Sequence, residues 1–331
     1  MLLVSACTTS NRAHPPAAHP PDAVTWQSKL DVRHPLVATI WDVVAQRRVD
    51  EAELTARVQA AEIVLVGETH DNPDHHWLQA ALISAFAARH KSPAVVFEML
   101  DRQRQPVVDS SLSTHPGDVD TLAQAVGWAS SGWPAWSIYR PVFEAAVAAR
   151  GTLLAGGLDR SAAMRIAREG PAAFDPSLEQ VFGLGEPPAA DVLVAMRHEM
   201  SESHCGLLPE AMLDPMVLVQ RTRDALLAER LHEGAGRSHG ALLVAGIGHV
   251  RRDRGVPAQL QQAYGAKSLA IGLLEARAEV MTLDGYAESF GAHTLPFDYV
   301  WFTPRASDTD HCAELRERMR AHATTSGSDG S

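Results

Sequence analysis

The chain has 331 residues, 46% of them hydrophobic, so it can bury a substantial core in one large domain or two smaller ones. A net charge of −11, with no basic run denser than the mixed Arg251-Arg252-Asp253-Arg254, argues against nucleic-acid binding. Cys7, Cys205 and Cys312 are too few for a disulfide framework, and no apolar run approaches the ~20 residues needed to span a bilayer.

At the start, Met1-Leu2-Leu3-Val4-Ser5-Ala6-Cys7 is a short apolar run that closes on small residues and a cysteine. It resembles a bacterial lipobox without its basic lead, which suggests a start codon assigned too late and lipidation at Cys7. Thr8 after the cysteine, in place of Asp, favours the outer membrane. Residues up to 25 are rich in Pro, Ala, Ser and His and read as a flexible tether; the alternative is a disordered soluble tail.

Residues 26–305 read as a single α/β domain, opening with a lead-in to Ala60 that has a short helical stretch through Ile40, Trp41 and Val44. The first strand is Ile63 to Gly67, an apolar run that stops at a glycine. A helix follows from Pro73-Asp74, with Asp74 as N-cap and a buried face at Trp77-Leu78, Ala81-Leu82 and Ala85-Phe86. The second strand is Ala94 to Met99, and Asp101 to Gly127 is a partly helical excursion. Trp128, Trp133, Trp136 and Tyr139 precede a helix expected over Pro141 to Arg150. The third strand is Thr152 to Leu158, and a mostly helical excursion from Ser161 to His239 contains a long helix over Glu210 to Leu231. The fourth strand is Ala241 to Gly246, a helix opens at Val256-Pro257, and the fifth strand is Ser268 to Leu274. Tyr299 to Phe302 is expected as an added edge strand, and 306–331 as a C-terminal helix with a disordered tail. Strands alternating with helices imply a mostly parallel sheet flanked by helices, with helical insertions after strands two and three.

In a parallel sheet all the strand ends share one edge, where open α/β folds place ligands. Strand one ends in Glu68-Thr69-His70-Asp71, strand two carries Glu98, strand three runs into Asp159-Arg160, and strand four ends in Gly246-Ile247-Gly248-His249. Glu68, His70, Glu98 and His249 have the chemistry to hold a divalent metal, to activate a water, or to form a hydrogen-bonded polar network with no metal. His75-His76 begins a helix and reads as solvated first-turn histidine, with His76 facing the sheet edge as the alternative, and Cys205 reads as a packed thiol or as a reactive or ligand pair with His204. Gly236-Arg237-Ser238-His239-Gly240 precedes a strand, so it lacks the context of a nucleophile elbow and reads as a loop. Gly246-Ile247-Gly248 lacks the third glycine of a dinucleotide site. The Trp128 to Tyr139 segment reads as core, or as a flat apolar surface for a planar ligand with Tyr139 as polar handle and Arg140 for carboxylates.

Six segments in order, over about residues 60 to 260, resemble the ChaN family of haem-binding lipoproteins within the wider Tiki/TraB/erythromycin-esterase-like group. They are Gly67-Glu68-Thr69-His70-Asp71 with His75-His76 and Gln79; Phe97-Glu98-Met99 with Gln105-Pro106; Gly132-Trp133-Pro134-Ala135-Trp136 with Tyr139-Arg140-Pro141; His204-Cys205-Gly206; Gln220 with Arg223-Asp224; and Gly246 to Pro257. The chain departs at Leu227-Ala228, where Met-Ala is expected, a conservative change. The resemblance implies a lipid-anchored protein on the periplasmic side of the outer membrane, working in haem or iron acquisition. Its implied partners are haem, an outer-membrane haem receptor or uptake system, and a second copy of the chain. Trp133, Tyr139, Arg140 and His204 are the candidate haem contacts. The wider group implies the alternative of a hydrolase acting at the sheet edge, metal-dependent or through Glu68, His70, Glu98 and His249.

Overall fold

A computed structural model describes residues 25–317. Cys7, the lipobox-like start, most of the tether and the tail from residue 318 lie outside the described residues.

The strands are β1 (Ile40–Asp42), β2 (Arg47–Val49), β3 (Ile63–Glu68), β4 (Ala94–Asp101), β5 (Thr152–Gly157), β6 (Ala241–Gly246), β7 (Leu269–Glu275) and β8 (Tyr299–Thr303). The helices are α1 (Glu51–Ala60), α2 (Pro73–Ala87), α3 (Gln105–Thr114), α4 (Val119–Ala125), α5 (Trp136–Ala148), α6 (Arg160–Glu169), α7 (Pro176–Phe182), α8 (Ala190–Ser203), α9 (Glu210–Arg237), α10 (Val256–Tyr264) and α11 (Leu283–Ser289). The sheet order is β2-β1-β8-β7-β3-β6-β4-β5. It is parallel from β8 to β5, and β1 joins antiparallel to both β2 and β8. The expected sheet and both helical insertions are present.

Strand pleating builds a core on each face. Val64, Val66, Leu242 and Val244 point into one, with residues of α1, α2 and α5. Ile63, Leu65, Ala241 and Leu243 point into the other, with residues of α9 and α10. Strands buried on both faces read as unbroken apolar runs, which is why β3, β4 and β6 stand out in the sequence.

Four elements differ from expectation. The stretch through Ile40, Trp41 and Val44 is a hairpin, its Ile40 and Asp42 buried and Trp41 half-buried between them, the alternation of a strand. This hairpin covers β8, so Tyr299–Thr303 is an interior strand, buried throughout. Helix α5 begins five residues before Pro141, because Trp136, Tyr139 and Phe143 share a face that packs on Trp128. The N-cap of α2 is Asn72, whose side chain accepts the amides of Asp74 and His75. Asp74 instead accepts the amides of Gln27 and Ser28, tying the start of the described chain to α2.

Cys205 is not a free thiol. It is disulfide-bonded to Cys312, which lies 107 residues away in a terminal helical turn, and the bond ties the helical insertion to the C-terminal segment.

Candidate active site at the carboxyl edge of the sheet

Glu68 closes β3 opposite Gly246, the last residue of β6. Two-residue alternation puts it on the face of Val64 and Val66, toward α2 and α5. Three side chains meet it there. Tyr139 of α5 donates its hydroxyl to Oε1 at 2.6 Å, and His70 Nδ1 lies 2.9 Å from the same oxygen. His76 Nδ1 of α2 sits 3.0 Å from Oε2, an ion-pair distance without hydrogen-bond alignment. His76 Nε2 donates to the carbonyl of His70 at 2.9 Å, and Gln79 Oε1 is 3.2 Å from Nδ1. With acceptors around both ring nitrogens, His76 is held as imidazolium. Burial pushes its pKa down, but Glu68 outweighs burial and raises it. Burial likewise pushes the Glu68 carboxyl up, and His76 and His70 overcome it, leaving the pKa at about 2.

Glu98 faces the other way. It shares the parity of Ala94 and Val96, which point toward α9, and it sits where the β4–β5 register shifts after Phe97. Such irregularities re-aim side chains near sites. Its Oε2 accepts the amide of Gly246 at 2.8 Å, and its Oε1 lies 3.2 Å from His249 Nε2. His249 Nδ1 meets Asp224 of α9 at 2.6 Å. An imidazole between two carboxylates carries both protons. Burial opposes that charge, yet Glu98 and Asp224 hold the His249 pKa at about 10. Burial also opposes the Glu98 charge, but His249, His70 and the Gly246 amide keep its pKa well below the usual carboxylate range. At the buried end of the chain, burial pushes Asp224 up to about 6 against the pull of His249.

His70 joins the two halves over Gly246. A Cβ at Gly246 would stand 2.9 Å from His70 Cε1 and 3.0 Å from its Nε2, so only glycine leaves room for this ring. Burial lowers the His70 pKa, but Glu68 and then Glu98 outweigh it and raise it. Its side chain is 38% exposed, against 0% for Glu68, 11% for Glu98 and 7% for His249. His70 is therefore the member of the cluster that can meet a ligand. Its Nδ1 is committed to Glu68, and Nε2 has no protein partner among the described residues. Trp133 stands edge-on to its ring, with centroids 4.9 Å apart. Trp133, Trp128 and Trp136 line a neighbouring cleft of about 560 Å³.

The four strand-end residues are thus brought to one edge, but as a polar network. Among the described residues no group of three or more His, Cys, Asp or Glu stands in a metal-holding arrangement. The two carboxylates turn to opposite faces; Glu98 is held by protein donors, and Glu68 has Oε1 taken by Tyr139 and His70 and Oε2 beside His76 without a hydrogen bond, so Glu68, His70, Glu98 and His249 do not converge on one metal position as expected.

The expected haem contacts divide. Trp133 is beside His70. Tyr139 is fully buried, and burial together with Glu68 raises its pKa far above the ordinary phenol value, so it is no accessible ligand. Arg140 points outward and pairs with Asp120 and Glu144. His204 lies in the α8–α9 turn, its Nδ1 bonded to the Met200 carbonyl, and it shares no hydrogen bond with the cluster.

Asp224 is a working member that the sequence left without a role, and His76 takes the sheet-edge position that is only its alternative reading in the sequence. His76 is fully buried, not solvated. It belongs to the helical series His76, Gln79, Ile83 and Phe86, all buried, and that spacing is the signal for it. His75 is also buried. Its Nδ1 accepts the Thr69 amide and its Nε2 donates to Thr303, so it is neutral, and burial lowers its pKa to about 3.

The family model described as haem-binding uptake, Tiki superfamily, ChaN matches residues 54–260. The chain belongs to this family. Among solved structures it is similar to the one described as cofacial heme binding to ChaN of Campylobacter jejuni, with a TM-score of 0.61 and 22% identity, covering 79% of this chain and 95% of that one. That likeness shows a shared fold. The chain is also similar to the type III effector HopBA1, with a TM-score of 0.42 and 11% identity over 76% of this chain and 91% of that one. A mutant of the erythromycin esterase EreC in its open conformation gives 0.42 and 11%, over 87% of this chain and 100% of that one. No curated protein matches the chain in sequence.

Proposed function

We propose that the chain binds haem at the carboxyl edge of its sheet, with His70 Nε2 meeting the iron, and serves haem or iron acquisition. Membership of the haem-binding family supports haem as the ligand. One observation carries the site: His70 gives its Nδ1–H to Glu68, its Nε2 has no protein partner among the described residues, and the side chain is 38% exposed. A metal-ligating imidazole has this arrangement, its second N–H tied to a carboxylate that sets tautomer and ring orientation. Trp133 and the tryptophan-lined cleft supply aromatic surface for a flat macrocycle. The buried state of Tyr139 leaves an imidazole as the available donor. The Cys205–Cys312 disulfide suits an oxidising compartment, in keeping with an outer-membrane lipoprotein anchored at Cys7 that hands haem to or from an uptake receptor and pairs with a second copy of itself.

Haemin titration followed at the Soret band tests this. A saturable shift is expected, and it should be lost in His70→Ala. A shift that survives that substitution unchanged removes the iron from His70.

A second reading is a hydrolase at the same edge. It is favoured by the buried Asp224–His249–Glu98 chain, a costly charge arrangement that a binding site does not need. There His70 would face the substrate and exchange its proton at Nε2. Turnover in an ester, amide and lactone panel that vanishes in His249→Gln would establish it.

A further inference from the structure

A second cavity, of about 470 Å³, lies between α6 and α9, apart from the network around His70. On α9, Met212, Met216, Val219 and Arg223 recur at spacings of one helical face. From α6 come Met164 and Arg160, with small alanines that leave the floor open. Met164 is 60% and Met212 37% exposed, unusual for large apolar side chains that neighbour one another.

The charge at this groove is one-sided. Arg160, Arg168 and Arg223 line it and no acid does, in a chain carrying 40 acidic against 29 basic residues. Arg168 is paired with Glu169, whereas Arg160 and Arg223 join no ion pair among the described residues. Arg160 opens α6 just beyond β5, and Arg223 precedes Asp224, which meets His249 at the sheet edge. Both free guanidiniums therefore belong to the sheet end of the groove. An apolar floor of polarisable thioethers closed at one end by two unpaired arginines complements a flat apolar body bearing two carboxylates on one edge. An acyl-chain carboxylate would satisfy only one of the two.

We propose that this groove is a second porphyrin site, which holds the macrocycle against Met164, Met212 and Met216 and the two propionates on Arg160 and Arg223. The proposal rests on the haem-binding reading for its ligand and differs from it in what is recognised: His70 needs the iron, while the groove needs the propionates and the ring.

Metal-free protoporphyrin separates the two. Its fluorescence should change saturably on adding wild-type protein, and His70→Ala should bind it as wild type does. The double variant Arg160→Gln/Arg223→Gln should bind about tenfold or more weakly, as should protoporphyrin dimethyl ester with wild-type protein. The double variant should also keep its thermal midpoint, since both side chains reach solvent. Equal affinity of the double variant or of the ester, or displacement by palmitate as readily as by porphyrin, overturns the proposal. So does absence of any metal-free porphyrin binding. Haemin binding that depends on His70 alone would then leave the first site standing without the second, and absence of both signals would remove both.

Discussion

The hydroxyl of Tyr139 donates to Glu68 across 2.6 Å, joining α5 to the end of β3 over 71 positions of sequence. With both groups buried, the phenol acts as a fixed donor to the oxygen of Glu68 that also meets His70, while His76 and His70 keep the carboxylate ionised. The tyrosine thus belongs to the support of the site, and the group offered to a ligand is the imidazole that Glu68 orients.

Tyr139→Phe removes one hydrogen bond to a buried carboxylate while keeping the ring packing on Trp128 and His76. It should lower unfolding free energy by about 1–3 kcal/mol. Urea denaturation checks this, and an unchanged midpoint would mean that the bond contributes nothing net.

Gly246→Ala places a methyl 2.9 Å from His70 Cε1, too close for the ring to stay. Overpacking of this kind costs about 1–3 kcal/mol. The far-ultraviolet spectrum should persist while the haemin Soret shift weakens. If the variant bound haemin like wild type, the position of His70 over Gly246 would have no part in binding.

Stability should depend on pH from both sides. The folded pKa of His249, about 10, lies above its ordinary 6.5, so the folded chain binds that proton more tightly than the unfolded one. Its contribution is complete below about pH 6.5 and is lost progressively as pH rises to about 10. His75 has the opposite sign: its pKa falls from 6.5 to about 3, so its contribution is present above about pH 6.5 and is lost as pH falls through about 3. Urea midpoints across pH should decline on both limbs, and His249→Gln should flatten the alkaline one. A wild-type midpoint constant up to about pH 10 would exclude the imidazolium between Glu98 and Asp224.

Reducing the Cys205–Cys312 bond opens a loop with a sequence separation of 107. A loss of about 2–4 kcal/mol is expected. Calorimetry with and without dithiothreitol checks it, with Cys205→Ser/Cys312→Ser reproducing the reduced value and showing no further response to reductant.

Much of this architecture is legible in one dimension. The runs at β3, β4 and β6 are apolar because both sheet faces are covered, so they stand out without any partner in view. Their ends at Glu68, Glu98 and the Gly246 to His249 turn share an edge simply because the strands are parallel. The six ordered motifs mark the family. Local rules fail where a distant segment decides the outcome. Ile40–Asp42 is a strand because β8 lies beside it, and α5 runs through Pro141 because its aromatic face packs on Trp128.

The sequence by itself determined the α/β class, the edge where the polar groups gather, and the family. Only the tertiary structure decided what those groups are to one another. Pleating turns Glu68 toward α2 and α5 and Glu98 toward α9, so two carboxylates on one edge serve opposite faces and do not share a metal. Tyr139, His76 and Asp224 reach them from helices that no local spacing connects to the strands. A buried charge is tolerable only beside its partner, and where that partner lies is settled by how the chain packs.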